Sequence, residues 1–348
     1  MLDARSGSNP VVKGIAAAVV SVALGWAGAA AAAEPTRYAK RDLQGNWTNS
    51  SLTPLERAAE YKSLEMTPAE VARLEGERQA LVKLQGAATS ADSDVGNSCE
   101  VKGYTGGPAC GYNGAWTDPG DTVMRVKGRP RTSFITSTAD GRVPANRTGE
   151  PASRRRRLVA EGRESDHPES RSLGERCLLS FGFSSGPVML PQLYNSNYQF
   201  IQTKDELAIL VEMVHDVRHI RIGAKHRNDG VRPWMGDSVG RWEGDTLVAE
   251  TINFHPNQYF YGASDKLKVT ERFTRIGPDR IHYAFTVEDP QTWSKPWGGE
   301  YEFGPSKGPL YEYACHEGNY GLENILAGAR AEEAAAAATP TAGATSGR

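Results

Sequence analysis

The chain has 348 residues, 39% of them apolar and 24% charged, with a formal net charge of −2. That balance suits a globular protein with ample chain for a core. It excludes a uniform field that would draw the whole protein onto nucleic acid or an anionic membrane.

The first 33 residues read as an export signal. Arg5 and Lys13 form a basic start, Gly14 to Ala30 is a continuous small-apolar stretch, and Ala31-Ala32-Ala33 precedes Glu34-Pro35 as a cleavage site would. The stretch is weakly hydrophobic for a span and nothing later repeats it, so no stable membrane insertion is expected. No cysteine near the cleavage point offers a lipid anchor. The mature protein is expected to start near Glu34, in the periplasm or outside the cell. Four cysteines fit an oxidising compartment. Cys99 and Cys110 bracket a Gly-rich loop, and a local bond there leaves Cys177 and Cys315 to pair. Four cysteines allow three pairings, and the sequence does not choose among them. There is no C-x-x-C and the spacings do not suit a structural zinc, so neither metal nor organic cofactor is expected.

Leu43 to Thr48 is a short strand of the G-x-W type. Thr67-Pro-Ala-Glu70 is a capping box with Pro at the first helical position, which predicts a helix from Pro68 to Lys83. Residues 85–111 read as loop. Val123–Val126 and Thr132–Thr138 read as strands around the turn Lys127-Gly-Arg-Pro130. Residues 34–143 are thus expected to form an N-terminal segment packed on the main domain. Residues 144–175 carry Pro, Arg, Glu and Ser with almost no aromatics, which predicts a linker or mobile loop. Within it the basic run Arg154 to Arg157, followed by Glu161, Glu164, Asp166 and Glu169, is expected to be solvated.

From Tyr198 the pattern is strand after strand: Tyr198–Thr203, Glu206–Val214, Val217–Ile222, Val239–Trp242, Asp245–Phe254, Leu267–Ile276, Arg280–Glu288, Gly299–Phe303 and Pro309–Cys315. Tight turns between most of them demand antiparallel neighbours. A meander of this length curls and closes to remove its edges. The fold class is therefore mainly β, an antiparallel meander closing into a lipocalin-like barrel over residues 176–330, with a short N-terminal helical segment. The tail, 331–348, reads as disordered.

Three segments, Trp234-Met-Gly-Asp-Ser-Val-Gly-Arg-Trp-Glu-Gly-Asp-Thr-Leu-Val248, Glu271-Arg-Phe-Thr-Arg275 and Leu310-Tyr-Glu-Tyr-Ala-Cys-His-Glu-Gly-Asn319, together resemble a widespread family of exported bacterial proteins of unassigned function. The resemblance covers most of the mature chain. It implies the same compartment and a shared site, and it carries no chemistry. The G-x-W strand and the meander also resemble lipocalin-like, calycin-type barrels, a looser similarity.

Period-2 alternation puts Thr246, Val248, Glu250, Ile252 and Phe254 on one face of their strand, and Leu267, Val269, Glu271 and Phe273 on one face of the next. A single carboxylate interrupts each apolar row, so Glu250 and Glu271 are expected on one inner wall. Desolvation there suits acid–base work; pairing with Arg241, Arg272 or Arg275 is the competing reading. His215, Asp216 and His219 form the second candidate group, an imidazole oriented by a carboxylate. His215 and His219 could also ligate a metal, with His226 or a carboxylate as third, but across a hairpin turn their i, i+4 spacing no longer guarantees a shared face. Arg241 or Arg218 would neutralise a developing anion. Trp234, Trp242, Trp293, Trp297, Tyr259, Tyr261, Tyr311 and Tyr313 offer ligand walls or core packing, and His255 and His316 end strands near a barrel mouth.

No nucleophile elbow, P-loop, H-E-x-x-H or dinucleotide fingerprint is present. Gly182-Phe-Ser-Ser-Gly186 lacks the strand-to-helix context of an elbow. The expected function is binding of a small organic or sugar-like ligand in the barrel. A Glu/His pair would serve a cofactor-independent lyase, isomerase or hydrolase. A non-catalytic lipocalin-like binder or an envelope protein is the alternative. Substrate and oligomeric state are not legible.

Overall fold

The computed structural model describes residues 39–85, 118–146, 154–180, 185–258 and 260–338. The expected leader, the Cys99–Cys110 loop and Tyr259 lie outside them. Nine of the strands close into one barrel: β1 (Gly45–Thr48), β4 (Asn197–Gln202), β5 (Glu206–Val211), β6 (Val217–Ile222), β7 (Asp237–Glu243), β8 (Thr246–Ile252), β9 (Lys268–Gly277), β10 (Arg280–Glu288) and β11 (Trp297–Pro305). A separate two-stranded hairpin, β2 (Arg125–Val126) and β3 (Arg129–Pro130), turns at Lys127-Gly128. The helices are α1 (Pro68–Gln85), α2 (Arg154–Ala160) and α3 (Tyr320–Ala338).

The expected closed barrel is present, with two refinements. First, β1 is a stave: it pairs with β4 through Trp47↔Tyr198 and with β11 through Trp47↔Pro305, so the N-terminal segment completes the barrel. Second, the sheet is mixed. β6 and β7 run parallel, Ile220↔Ser238 and Ile222↔Gly240, while every other adjacent pair in the barrel is antiparallel. Their connection, residues 223–236, is long enough to return along the barrel, which a hairpin turn is not.

Alternation along the strands decides what faces inward. Tyr198, Phe200, Leu207, Ile209, Ile220, Phe273, Tyr283, Tyr301 and Phe303 are all fully buried and form one cluster with Val188 and Met189, which enter the core from the segment before β4. Ring pairs such as Tyr283–Tyr301 (centroids 4.7 Å) and Phe200–Phe303 (5.5 Å) meet tilted or edge-on, the arrangement aromatic quadrupoles favour. Outside the barrel, residues 134–135 cross β11 at Gly299. A Cβ there would stand 2.1 Å from the Phe134 carbonyl oxygen, so only glycine admits this approach.

α1 starts as its capping box predicts: Glu70 accepts from the Thr67 N–H at 2.7 Å and its own N–H donates to Thr67 Oγ1 at 3.3 Å. Four segments differ from expectation. The first is the hairpin: its second strand is Arg129–Pro130, and 132–138 forms no strand beyond the Ile135↔Gly299 bridge. Residues 154–180 carry α2 and a short 3-10 turn and bury Leu158 and Leu173, so apolar anchors hold what composition alone assigned to a linker. Residues 309–315 form no strand. Their groups are taken by side chains and by a disulfide between Cys177 and Cys315. α3 continues through the alanine run to Ala338, beyond the expected start of the tail at 331, because alanine is the strongest helix former. No described helix is long and apolar enough to cross a membrane.

Candidate functional site

Of the two carboxylates expected inside, only Glu271 is there. It is fully buried, and its Oε1 accepts from Arg218 Nη1 at 2.8 Å and from the Tyr283 hydroxyl at 2.8 Å, while Oε2 accepts from Arg218 Nη2. Arg218, 2% exposed, also donates to Ser238 Oγ and Thr251 Oγ1, each at 3.2 Å, and these hydroxyls bond each other at 2.8 Å. The polar thread continues through the core. The Met189 N–H donates to the Tyr283 oxygen at 3.4 Å, the Tyr301 hydroxyl donates to the Met189 carbonyl, and Asn49 Nδ2 reaches the hydroxyls of Tyr198 and Tyr301 at 3.3 and 3.1 Å. Burial and the neighbouring Glu271 push the Tyr283 phenol far above its ordinary range. Arg218 and Tyr283 both donate to Glu271, so this carboxylate is spent on a guanidinium. The partner is Arg218, and not Arg241, Arg272 or Arg275.

Glu250 corrects the sequence reading. The inward row of β8 is Leu247, Ala249 and Thr251, and Glu250 lies on the outer face. Val248, on that same outer face, is itself buried, so both faces of β8 look apolar and alternation alone chooses the wrong one. Glu250 sits in an outer chain of charges. It accepts from Lys268 Nζ at 2.8 Å and meets His226 Nε2 at 3.4 Å, while His226 Nδ1 meets the buried Asp237 at 3.0 Å. Lys268 holds the Glu250 carboxyl below its usual range. Burial works to raise Asp237, but the Arg227 N–H, His226 and Arg221 outweigh it and keep that carboxyl low.

The remaining expected residues divide. His219 faces outward and pairs with Glu206; Arg241 is exposed and pairs with Glu243. Trp293 and Trp297 are buried with Phe260 and Phe285 as core. Trp242 lies at the barrel's far end under Arg41, whose guanidinium stands 5.6 Å from the ring. His316 is exposed just beyond Cys315. Apart from His219, which also borders a cleft at one end of the barrel, these residues do not converge on one site.

His215, Asp216, His219 and Trp234 do. They line a cleft of about 860 Å³ at one end of the barrel, walled by β6, the start of β7 and the 223–236 connection. Arg218 and Ser238 also line it, so the buried polar thread begins at its wall. Gly236, at φ +73°, lets the chain enter β7 there: a Cβ would stand 2.7 Å from Thr251 Cγ2 and 2.8 Å from the Ile252 carbonyl. Trp234 lies over His255 with ring centres 3.7 Å apart and also lines an adjoining apolar recess with Leu173, Leu179, Val188 and Phe254. The Ser185 hydroxyl, from that recess, donates to Asp216 Oδ2. His215 is exposed, and its Nδ1 meets the Tyr313 carbonyl at 2.9 Å.

Asp216 is the one acid here whose proton affinity suits proton exchange. Burial raises it, against the Ser185 hydroxyl and the neighbouring His215, and leaves it at about 6. Its donor is a neutral hydroxyl, unlike the guanidinium on Glu271. Ser185 was missed in the sequence reading. It belongs to the Gly182–Gly186 stretch, where the only available cue was a motif without its usual context. Among the described residues no three His, Cys, Asp or Glu side chains come together as a metal site would require. The chain matches no protein-family model and no curated protein.

Proposed function

We propose that the protein is an exported barrel that binds a small organic ligand in the cleft at the β6–β7 end of the barrel and exchanges a proton with it through Asp216. The observation that carries this reading is the Asp216 carboxyl, raised to about 6 and, among the described residues, hydrogen-bonded only to a hydroxyl, on the wall of a ligand-sized cleft. His215 stands beside it as a second proton carrier, and Trp234 separates the polar cleft from the apolar recess. A ligand with a polar group at Asp216 and an apolar end in the recess satisfies both. Proton transfer without an organic cofactor belongs to lyases, isomerases and hydrolases. Export is supported by the leader-like N-terminus, by the Cys177–Cys315 disulfide and by the resemblance to exported bacterial proteins.

The test is a thermal-shift screen of small organic acids, alcohols and sugars against the full chain and Asp216→Asn. Asn keeps an acceptor for Ser185. The reading requires a ligand that stabilises the wild type and whose effect is lost in Asp216→Asn. A ligand that stabilises both variants equally refutes it.

A further inference from the structure

A second cleft, of about 560 Å³, opens on the other side of His215, between the end of β5 and the coil 311–315. Among the described residues its walls are three tyrosines, Tyr194, Tyr311 and Tyr313, with three carboxylates, Asp118, Glu212 and Glu312, and no Lys, Arg or His. Tyr311 is 70% exposed, an unusual position for a large aromatic ring.

Glu212 supplies an independent observation. It is only 3% exposed, yet the donors it receives are neutral: the Tyr311 N–H at 3.0 Å and Asn197 Nδ2 at 2.5 Å. Asp118 shares its charge with Arg78, whose Nη2 is 3.7 Å away, but among the described residues neither Glu212 nor Glu312 forms an ion pair. A buried carboxylate without a counter-ion is costly, and the cost falls when a cation arrives. The aromatic walls narrow the kind of cation. Tyrosine faces attract an ammonium group directly and offer a metal ion no ligand, and the carboxylates do not converge on a metal-sized site. The walls are also held in place. Tyr313 is hydrogen-bonded to Tyr194, its carbonyl meets His215, and two residues on, Cys315 is bonded to Cys177.

We infer that this tyrosine-walled cleft binds an organic ammonium ion. The cation packs on Tyr311 and Tyr313, and Glu212 and Glu312 supply its counter-charge. The site is separate from the Asp216 cleft, and its occupation does not depend on that reading.

Calorimetric titration of the full chain with choline, and with its uncharged isostere 3,3-dimethyl-1-butanol, tests the inference. Choline is expected to bind saturably, more weakly as salt is raised, and about tenfold or more tighter than the isostere. Tyr311→Ala and Glu312→Gln, both at exposed positions, are each expected to weaken choline several-fold with unchanged melting temperature. Equal affinity for the isostere, no saturable binding of choline, or full affinity in both variants would overturn it.

Discussion

Replacing Glu271 by Gln leaves the shape of the side chain and removes one charge from the centre of the barrel. Arg218, 2% exposed, then keeps a guanidinium with no counter-ion and with only the hydroxyls of Ser238 and Thr251 as acceptors besides the amide oxygen. The Gln amide also turns a donor toward one of the guanidinium nitrogens. Breaking a buried pair in this way costs about 3–5 kcal/mol, a large share of the 5–15 kcal/mol typical of a whole domain. For a chain of this size that corresponds to a melting temperature lower by roughly 10 °C. Arg218→Met should cost as much, because it strands the carboxylate. The double variant Arg218→Met/Glu271→Gln should lose less than the sum of the two by at least about 2 kcal/mol. In it Ser238 and Thr251 still bond each other, and Tyr283 retains an acceptor. Urea unfolding followed by circular dichroism measures all four proteins. A single Glu271→Gln within about 1 kcal/mol of wild type, or an additive double variant, refutes the structural assignment of the pair.

Asp216 predicts the opposite sign. Its folded-state proton affinity is raised, to about 6 from 3.8, so the charged form is disfavoured by folding. The penalty is absent below the unfolded value, grows as pH rises between the two, and is complete above the folded one, reaching at most about 3 kcal/mol. Asp216→Asn should therefore melt higher than wild type at about pH 7.5 and equally at about pH 3.5, and a variant less stable at the higher pH would count against the cleft. The Cys177–Cys315 bond closes a loop with a sequence separation of 138, for which loop entropy alone gives about 5 kcal/mol. Reduction, or Cys315→Ser, should lower the denaturant midpoint strongly, and an unchanged midpoint would deny the bond its role. Gly299→Ala places a methyl against the Phe134 carbonyl and should cost about 1–3 kcal/mol, measured by thermal melting; a neutral variant would show that residues 134–135 do not cross β11 closely.

Much of the fold was legible in local pattern. Strand and turn residues set the succession from Tyr198 to Phe303 apart from loops, and the capping box at Thr67 marked the start of α1. Both signals depend on neighbours in the chain, and neighbours suffice for them. Glu271 was also legible as an interruption in an apolar row. What it pairs with was not: Arg218 comes from a strand 53 residues earlier, on a stave that neighbours neither β9 nor β8. Glu250 misled because the outer face of β8 is covered by other parts of the chain. Coverage is a property of the assembled molecule, and no periodicity reports it.

The site shows the same division. The amino-acid order by itself determined that this chain makes a closed, mainly β barrel, and that His215 and Asp216 sit in a turn between two strands. Only the tertiary structure decided that Asp216 would meet Ser185 beside an apolar recess, that Glu271 would be neutralised, and that Tyr194 and the coil carrying Tyr311 and Tyr313 would line one cleft with Glu212. A carboxylate's proton affinity and its counter-ions are set by everything within a few ångströms in space, and in a barrel those atoms come from strands far apart in the chain.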